Sequence, residues 1–227
     1  LMSGRLLVVT PLKFEMNAIC GYLQRKGVQG SVVPGKTESL YFHELGLELA
    51  VGGHGKAKLA AVTQYLIARG ERPEALVVAG AAGTLVEEVH IGDVVVATET
   101  VEHDYKMRFG RTRPAPRHPG DPKLQRLVMA AHPPVAGYRI HGGAVASGDE
   151  DIVDKDRAQK LFQETGALCV AWEGAGGYKA AAFNEVPFLE IRAITDTADS
   201  SIMEDFAGTL ASSLDNLGRA VWEWRQN

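Results

Sequence analysis

Three acidic residues, Glu15, Glu173 and Asp196, stand where carboxylates could do chemistry in this chain. Glu173 and Asp196 each follow a buried-strand pattern, Ala167 to Trp172 and Phe188 to Ile194, within the stretch from Gly166 to Asp199. In α/β folds the ends of strands, where the sheet hands over to loops, form the ligand-binding mouth, so this spacing places two acids near one pocket. Glu15 falls in the first turn or so of a helix after the opening strand Leu6 to Val9, with Thr10 as N-cap and Pro11 at the first helical position. The helix dipole alone favours an acid there, and its company with the other two marks it out. Carboxylates grouped in this way can give up a proton, take one, or accept hydrogen bonds from hydroxyl groups.

The elements that position these acids follow from hydrophobic periodicity. A small-residue segment from Gly174 to Phe183 suits a closely packed helix between the two strands. Upstream, short strand patterns cover Tyr41 to His43 and Leu45 to Val51, a helix is expected over Lys56 to Arg69, and buried strands over Ala75 to Ala79 and Asp93 to Ala97. Further on, a helix is expected from Leu124 to Ala131, a strand from Arg139 to Ala146 and a helix from Asp154 to Thr165. A last helix, Met203 to Trp224, carries Phe206, Leu210, Leu214, Leu217, Val221 and Trp224 along one face. This alternation predicts a three-layer α/β fold as one domain over residues 1–227, with residues 1–4 read partly as a cloning remnant. Gly52-Gly53-His54-Gly55 and Gly80-Ala81-Ala82-Gly83-Thr84 read as loops at strand ends, serving either as turns or for close backbone approach to a ligand. Neither has the spacing of a dinucleotide fingerprint.

Composition narrows the partners. The 227 residues are 45% apolar, enough for a full core, and a net charge of −4 gives no global field for nucleic acid or an anionic membrane. No apolar run approaches the ~20 residues of a membrane span. Cys20 and Cys169 sit in apolar segments and read as free, buried thiols, which agrees with a cytoplasmic location. A long basic, proline-rich connection carries Lys106, Arg108, Arg111, Arg113 and Arg117 and reads as a functional or disordered loop. His103-Asp104 is the nearest approach to a metal motif, but adjacent residues in an extended segment face opposite ways, so neither a metal site nor a cofactor is expected.

Taken in order, several segments resemble the purine nucleoside phosphorylase superfamily, and within it the 5′-methylthioadenosine/S-adenosylhomocysteine nucleosidases. They are Pro11 to Glu15, Gly53 to Lys56, Gly80 to Gly83 with Ile91 to Val95, His103-Asp104, Ser147 to Asp149, Val170 to Glu173, and Val186 to Phe188 with Arg192 to Asp196. The resemblance implies a central mixed, twisted β-sheet flanked by helices, and hydrolysis of the N-glycosidic bond of a purine nucleoside. It implies Asp196 as the general acid toward the leaving base, Glu15 as the group that activates water, and Glu173 as acceptor for the ribose hydroxyls. Two carboxylates flanking a water is also the geometry of inverting glycoside hydrolysis. It further implies substrate contacts from His54, Ala81, Gly83, Asp151, Ile152 and Trp172, and a homodimer in which a segment containing Phe109 completes the partner's 5′ pocket.

Departures from the family pattern bear on the substrate. Ala171 and Trp172 replace a Glu-Met pair, Ala81 a frequent serine, Asp151 a stacking phenylalanine and His54 an aliphatic residue. With the Lys106 to Arg117 loop, His54 and Asp151 suggest a polar or anionic 5′ substituent, as in S-adenosylhomocysteine or futalosine and its 6-amino relative, beside methylthioadenosine. A phosphate-dependent phosphorylase is a further alternative, kept open by Lys13 and disfavoured by Val77 to Ala81, which offers no arginine or serine for a phosphate. A non-catalytic nucleoside-binding module is the remaining one.

Overall fold

The computed structural model describes residues 4–107, 109–110, 113–132, 137–198 and 202–226, with backbone alone for 202–208. Among these, the strands are β1 (Leu6–Thr10), β2 (Ser31–Val32), β3 (Ser39–Phe42), β4 (Leu47–Val51), β5 (Ala75–Thr84), β6 (Val94–Glu102), β7 (Arg117–Pro119), β8 (Ile140–Ser147), β9 (Cys169–Ala171) and β10 (Phe188–Asp196). The helices are α1 (Lys13–Arg25), α2 (Lys56–Ala68), α3 (Pro122–Ala131), α4 (Lys155–Thr165), α5 (Gly174–Phe183) and α6 (Ile202–Gln226).

Alternation along the strands sorts side chains onto two faces. Leu6 and Val8 of β1 pack with Met16, Ile19 and Leu23 of α1 and with Leu214, Leu217 and Val221 of α6. Leu7 and Val9 face the other way, onto Leu59 and Leu66 of α2 and Ala181 of α5. The result is a mixed sheet between two helical layers, the α/β arrangement that the sequence predicts.

The sheet is not open throughout. Strand order runs β10-β6-β8-β9-β5-β1-β4-β3-β2, and β10 also pairs with β5, so five strands close into a ring. Ala82, Val95, Ala97, Val145, Cys169 and Ile194 pack together in one cluster drawn from these five strands, small enough for a narrow interior.

Several local expectations change. Gly80 to Thr84 is no loop: β5 runs on to Thr84, paired with β10 along Gly80 to Gly83 and with β9 at Gly83 and Thr84. Buried backbone groups must be paired, and two adjacent strands override the weak strand propensity of glycine. Thr10 is not the cap of α1; it ends β1, its hydroxyl bonds to the carbonyls of Leu12 and Ala50, and Leu12 takes the N-cap position. The basic connection ends in β7, paired antiparallel with β6. His43–Leu45 is a 3₁₀ turn between β3 and β4, and Asp93 precedes β6. Arg108, Arg111 and the side chain of Phe206 lie outside the described residues.

Candidate active site

The C-terminal ends of β1, β5 and β10 and the junction of β9 with α5 surround a cavity of about 250 Å³. Nine predicted site residues line it: Glu15, His54, Ala81, Gly83, Asp151, Ile152, Trp172, Glu173 and Asp196. Phe109 does not; it is 98% exposed on the 106–117 connection.

Glu15 is buried and held at both oxygens. Oε2 accepts the Leu12 N–H at 2.7 Å, reaching back over the start of α1, and Oε1 accepts the Ala81 N–H at 2.8 Å from β5. Helix capping and site placement are thus one geometry rather than rival explanations. Burial pushes its carboxyl from 4.5 up to about 7, against the pull of those two N–H groups and of Arg192. A carboxylate with that value is poised to take a proton near neutral pH.

Glu173, also buried, occupies the N-cap position of α5. Oε1 accepts the Gly55 N–H at 3.3 Å and Oε2 accepts from Arg192 Nη2 at 3.4 Å. Above it, His54 stacks on Trp172 with centroids 4.2 Å apart and planes 25° from parallel, and His54 Nε2 lies 3.9 Å from Glu173 Oε1. The two rings make an amphipathic wall beside a hydrogen-bond acceptor, suited to one face of a sugar.

Asp196 is the last residue of β10, just past a register shift against β5 between Ile194 and Asp196 that re-aims the strand end. Thr195 Oγ1 donates to Oδ2 at 2.9 Å and the Ala198 N–H donates to Oδ1 at 2.9 Å. Ala198 holds a φ of 50°, a left-handed conformation that costs a non-glycine residue about 1–2 kcal/mol, and its N–H serves Asp196 from it.

Two glycines of β5 make room for the acids. A Cβ at Gly80 would lie 2.6 Å from Glu15 Oε1, and one at Gly83 would lie 2.5 Å from Asp196 Oδ1. Both carboxylates line the same cavity, one on each side of the Ala81–Gly83 segment.

Arg192 was not among the predicted site residues. It is 1% exposed, lines the cavity, and contacts Glu190, Glu173 and the Ala81 carbonyl. The available signal was Glu190 and Arg192 two apart in an otherwise apolar strand, which puts opposite charges on one buried face. Among the described residues, Arg192 is the lone Lys or Arg lining the cavity. Lys13 points elsewhere and pairs with Glu38 at 2.9 Å. Arg117 binds Glu99 and the Thr165 carbonyl, and neither it, Lys106 nor Arg113 lines the cavity of its own chain. Among the described residues, no basic side chain of the connection expected at the 5′ end lines this cavity.

No group of three or more His, Cys, Asp or Glu side chains able to hold a metal occurs among the described residues.

Comparison with known proteins shows the family and the fold. A nucleosidase for 5′-methylthioadenosine and S-adenosylhomocysteine from Thermotoga maritima is 32% identical over 199 residues, 87% of this chain and 84% of that protein. Its namesake from Mycobacterium tuberculosis is 30% identical over 195 residues, 73% of this chain and 76% of the other. Among solved structures, the Neisseria meningitidis nucleosidase of the same name, bound to methylthio-immucillin-A, superposes with a TM-score of 0.83 at 24% identity over 97% of both chains. The futalosine hydrolase of Helicobacter pylori does so at 0.82 and 23% over 98% of this chain and 97% of the other, and at these identities the two superpositions speak for the fold. A sequence model of the phosphorylase superfamily matches residues 5–223, and the chain belongs to that superfamily.

Proposed function

We propose that this protein hydrolyses the N-glycosidic bond of a 5′-substituted purine nucleoside, of the kind represented by methylthioadenosine and S-adenosylhomocysteine, and releases the free base. The observation that carries this reading is Glu15, fixed by two backbone N–H groups with its carboxyl pushed up to about 7, across the cavity from Asp196. Asp196 protonates the departing purine, so that the bond breaks as positive charge builds on the ribose ring. Glu173 accepts hydrogen bonds from the ribose hydroxyls, and the His54–Trp172 wall packs the sugar. Glu15 takes a proton from the water that adds to the anomeric carbon. Ile152 and Asp151, on the loop before α4, contribute to binding, the first buried and the second at the rim.

Water is the nucleophile rather than phosphate. A phosphate dianion needs cations to offset its charge, and Arg192, the lone Lys or Arg lining the cavity among the described residues, is committed to Glu190, Glu173 and the Ala81 carbonyl. The 5′ group is of the methylthio or homocysteine kind rather than the benzoate of futalosine: the relatives at 32% and 30% identity are named for methylthioadenosine and S-adenosylhomocysteine, whereas the futalosine hydrolase is 23% identical. The working unit is a cytoplasmic homodimer. Tyr105, Met107 and Phe109, exposed on one connection, support a partner contact, and the two free, buried cysteines suit a reducing compartment.

The test is chromatography of free base after incubation with methylthioadenosine, S-adenosylhomocysteine, inosine and futalosine. Release from the first two at tenfold or greater kcat/KM over futalosine, a margin of about 1.4 kcal/mol, supports the reading. Binding without release would favour a nucleoside-binding module.

A further inference from the structure

Glu190 is a fully buried carboxylate in the middle of β10, two residues from Arg192 and outside the cavity. Its Oε1 accepts from Arg192 Nε at 2.8 Å, and its Oε2 accepts from the Thr100 hydroxyl on β6. A Cβ at Gly174 would lie 2.0 Å from Glu190 Oε2, so the residue after Glu173 has to be glycine for this carboxylate to sit where it does. Placing an ion in a sheet interior is costly unless its partners are fixed, and here strand, sheet neighbour and helix start all give way to it.

Arg192 divides its donors accordingly. Nε serves Glu190, Nη2 serves Glu173 and Nη1 serves the Ala81 carbonyl, beside Glu15. We propose that Glu190 is a positioning residue for the active site: it fixes the Arg192 guanidinium and offsets its charge, so that Glu173 and Glu15 face the substrate as a net negative pair. Three carboxylates then surround one guanidinium. The surplus negative charge favours the cation that develops on the ribose ring and keeps Glu15 a competent base. Without Glu190, the charge of Arg192 would fall on Glu173 and Glu15 alone, and Glu15 would hold its proton less tightly.

The groups that could compete with this coupling are few. Arg192 and Glu173 face Glu15 electrostatically. Around Glu190 stand Arg192, the Cys169 thiol on β9 and the His118 imidazole on β7. Burial raises the thiol and lowers the imidazole, so both are neutral at neutral pH.

The catalytic half of this inference rests on the nucleosidase reading, and the charge half does not. Glu190→Gln keeps the shape and the contact with Arg192 Nε while removing the charge. Its kcat should fall roughly tenfold to a hundredfold, the scale seen for groups that orient a functional residue, with KM for methylthioadenosine changed less than about threefold. The acid limb of its pH profile should move down by about one pH unit, as expected for one charge removed several Å away in a partly polar interior. Glu190→Asp keeps the charge and shortens the reach, so it should lower kcat by about fivefold or more and leave the limb in place. Loss of packing alone would move neither limb.

A second readout needs no turnover. The pH dependence of the stability difference made by Glu15→Gln reports the titration of Glu15, and its midpoint should fall by about one pH unit in the Glu190→Gln background. If no nucleoside is cleaved by the native chain, the nucleosidase reading fails while this measurement still decides the coupling. An unchanged midpoint with a folded Glu190→Gln chain overturns the proposal. If that variant does not fold, unchanged kcat in Glu190→Asp does so, or an unchanged stability of that variant relative to the native chain where turnover is absent.

Discussion

Replacing Glu15 by glutamine should change stability in opposite senses on the two sides of neutrality. Burial raises the Glu15 carboxyl from 4.5 in the unfolded chain to about 7 in the folded one. Between these values the folded chain holds more protons than the unfolded chain, so stability falls as pH rises through that window and levels off above it. At about 1.4 kcal/mol for each tenfold change in proton affinity, the penalty approaches roughly 3 kcal/mol above pH 7. Glutamine cannot ionise and escapes this penalty. It also offers a single acceptor to the two N–H groups of Leu12 and Ala81, which costs about 1–3 kcal/mol at every pH. The variant should therefore be less stable than the native chain near pH 5 and of equal or greater stability near pH 8. The assay is urea unfolding at fixed protein concentration, followed by tryptophan fluorescence, across that range. A stability difference that stays flat from pH 5 to pH 8 would show that Glu15 does not titrate as a buried carboxyl, and its role as base would lose its footing.

Other outcomes follow from the same geometry. Asp196→Asn should cut turnover by about 10²–10⁴-fold with little change in melting temperature, because it removes the proton and keeps the shape; more than a third of native turnover would dismiss the acid role. The kcat/KM profile of the native chain should rise toward alkaline pH with a midpoint near 7, set by Glu15, and an acid limb below pH 5 would contradict that assignment. Gly83→Ala should lower both activity and melting temperature, since its Cβ would meet Asp196 Oδ1 at 2.5 Å and the Ala198 Cβ at 2.9 Å. Ordinary activity in that variant would mean that Asp196 is free to move aside. Trp172→Ala should raise KM for the nucleoside more than it lowers kcat, by removing half of the stacked wall, as steady-state kinetics would show.

The sequence carried the three acids and the elements beneath them because buried strands and amphipathic helices write their periods into the chain. Alternation in β1 names both packing faces, and the apolar run ending at Asp196 marks the strand that delivers it. What stayed hidden depended on distant partners. Gly80 to Thr84 looks like a loop until β9 and β10 are placed beside it. Closure of the sheet into a ring needs β5 and β10 to pair along eight residues each, which no local pattern states. Arg192 passed as a strand residue because its partners, Glu173 and the Ala81 carbonyl, lie 19 and 111 positions away. Of the basic connection that the sequence expects at the 5′ end, Arg117 also has a local task that no spacing announces: it binds Glu99 and the Thr165 carbonyl and so holds β7 to its surroundings.

The central claim is that water, activated at Glu15, displaces a purine protonated at Asp196. It is tested most directly by product analysis with methylthioadenosine in phosphate-free buffer and again with added phosphate. Equal rates of adenine release in both, with a free reducing sugar as the co-product, are the expected result. Strict dependence on phosphate and formation of a sugar 1-phosphate would contradict it.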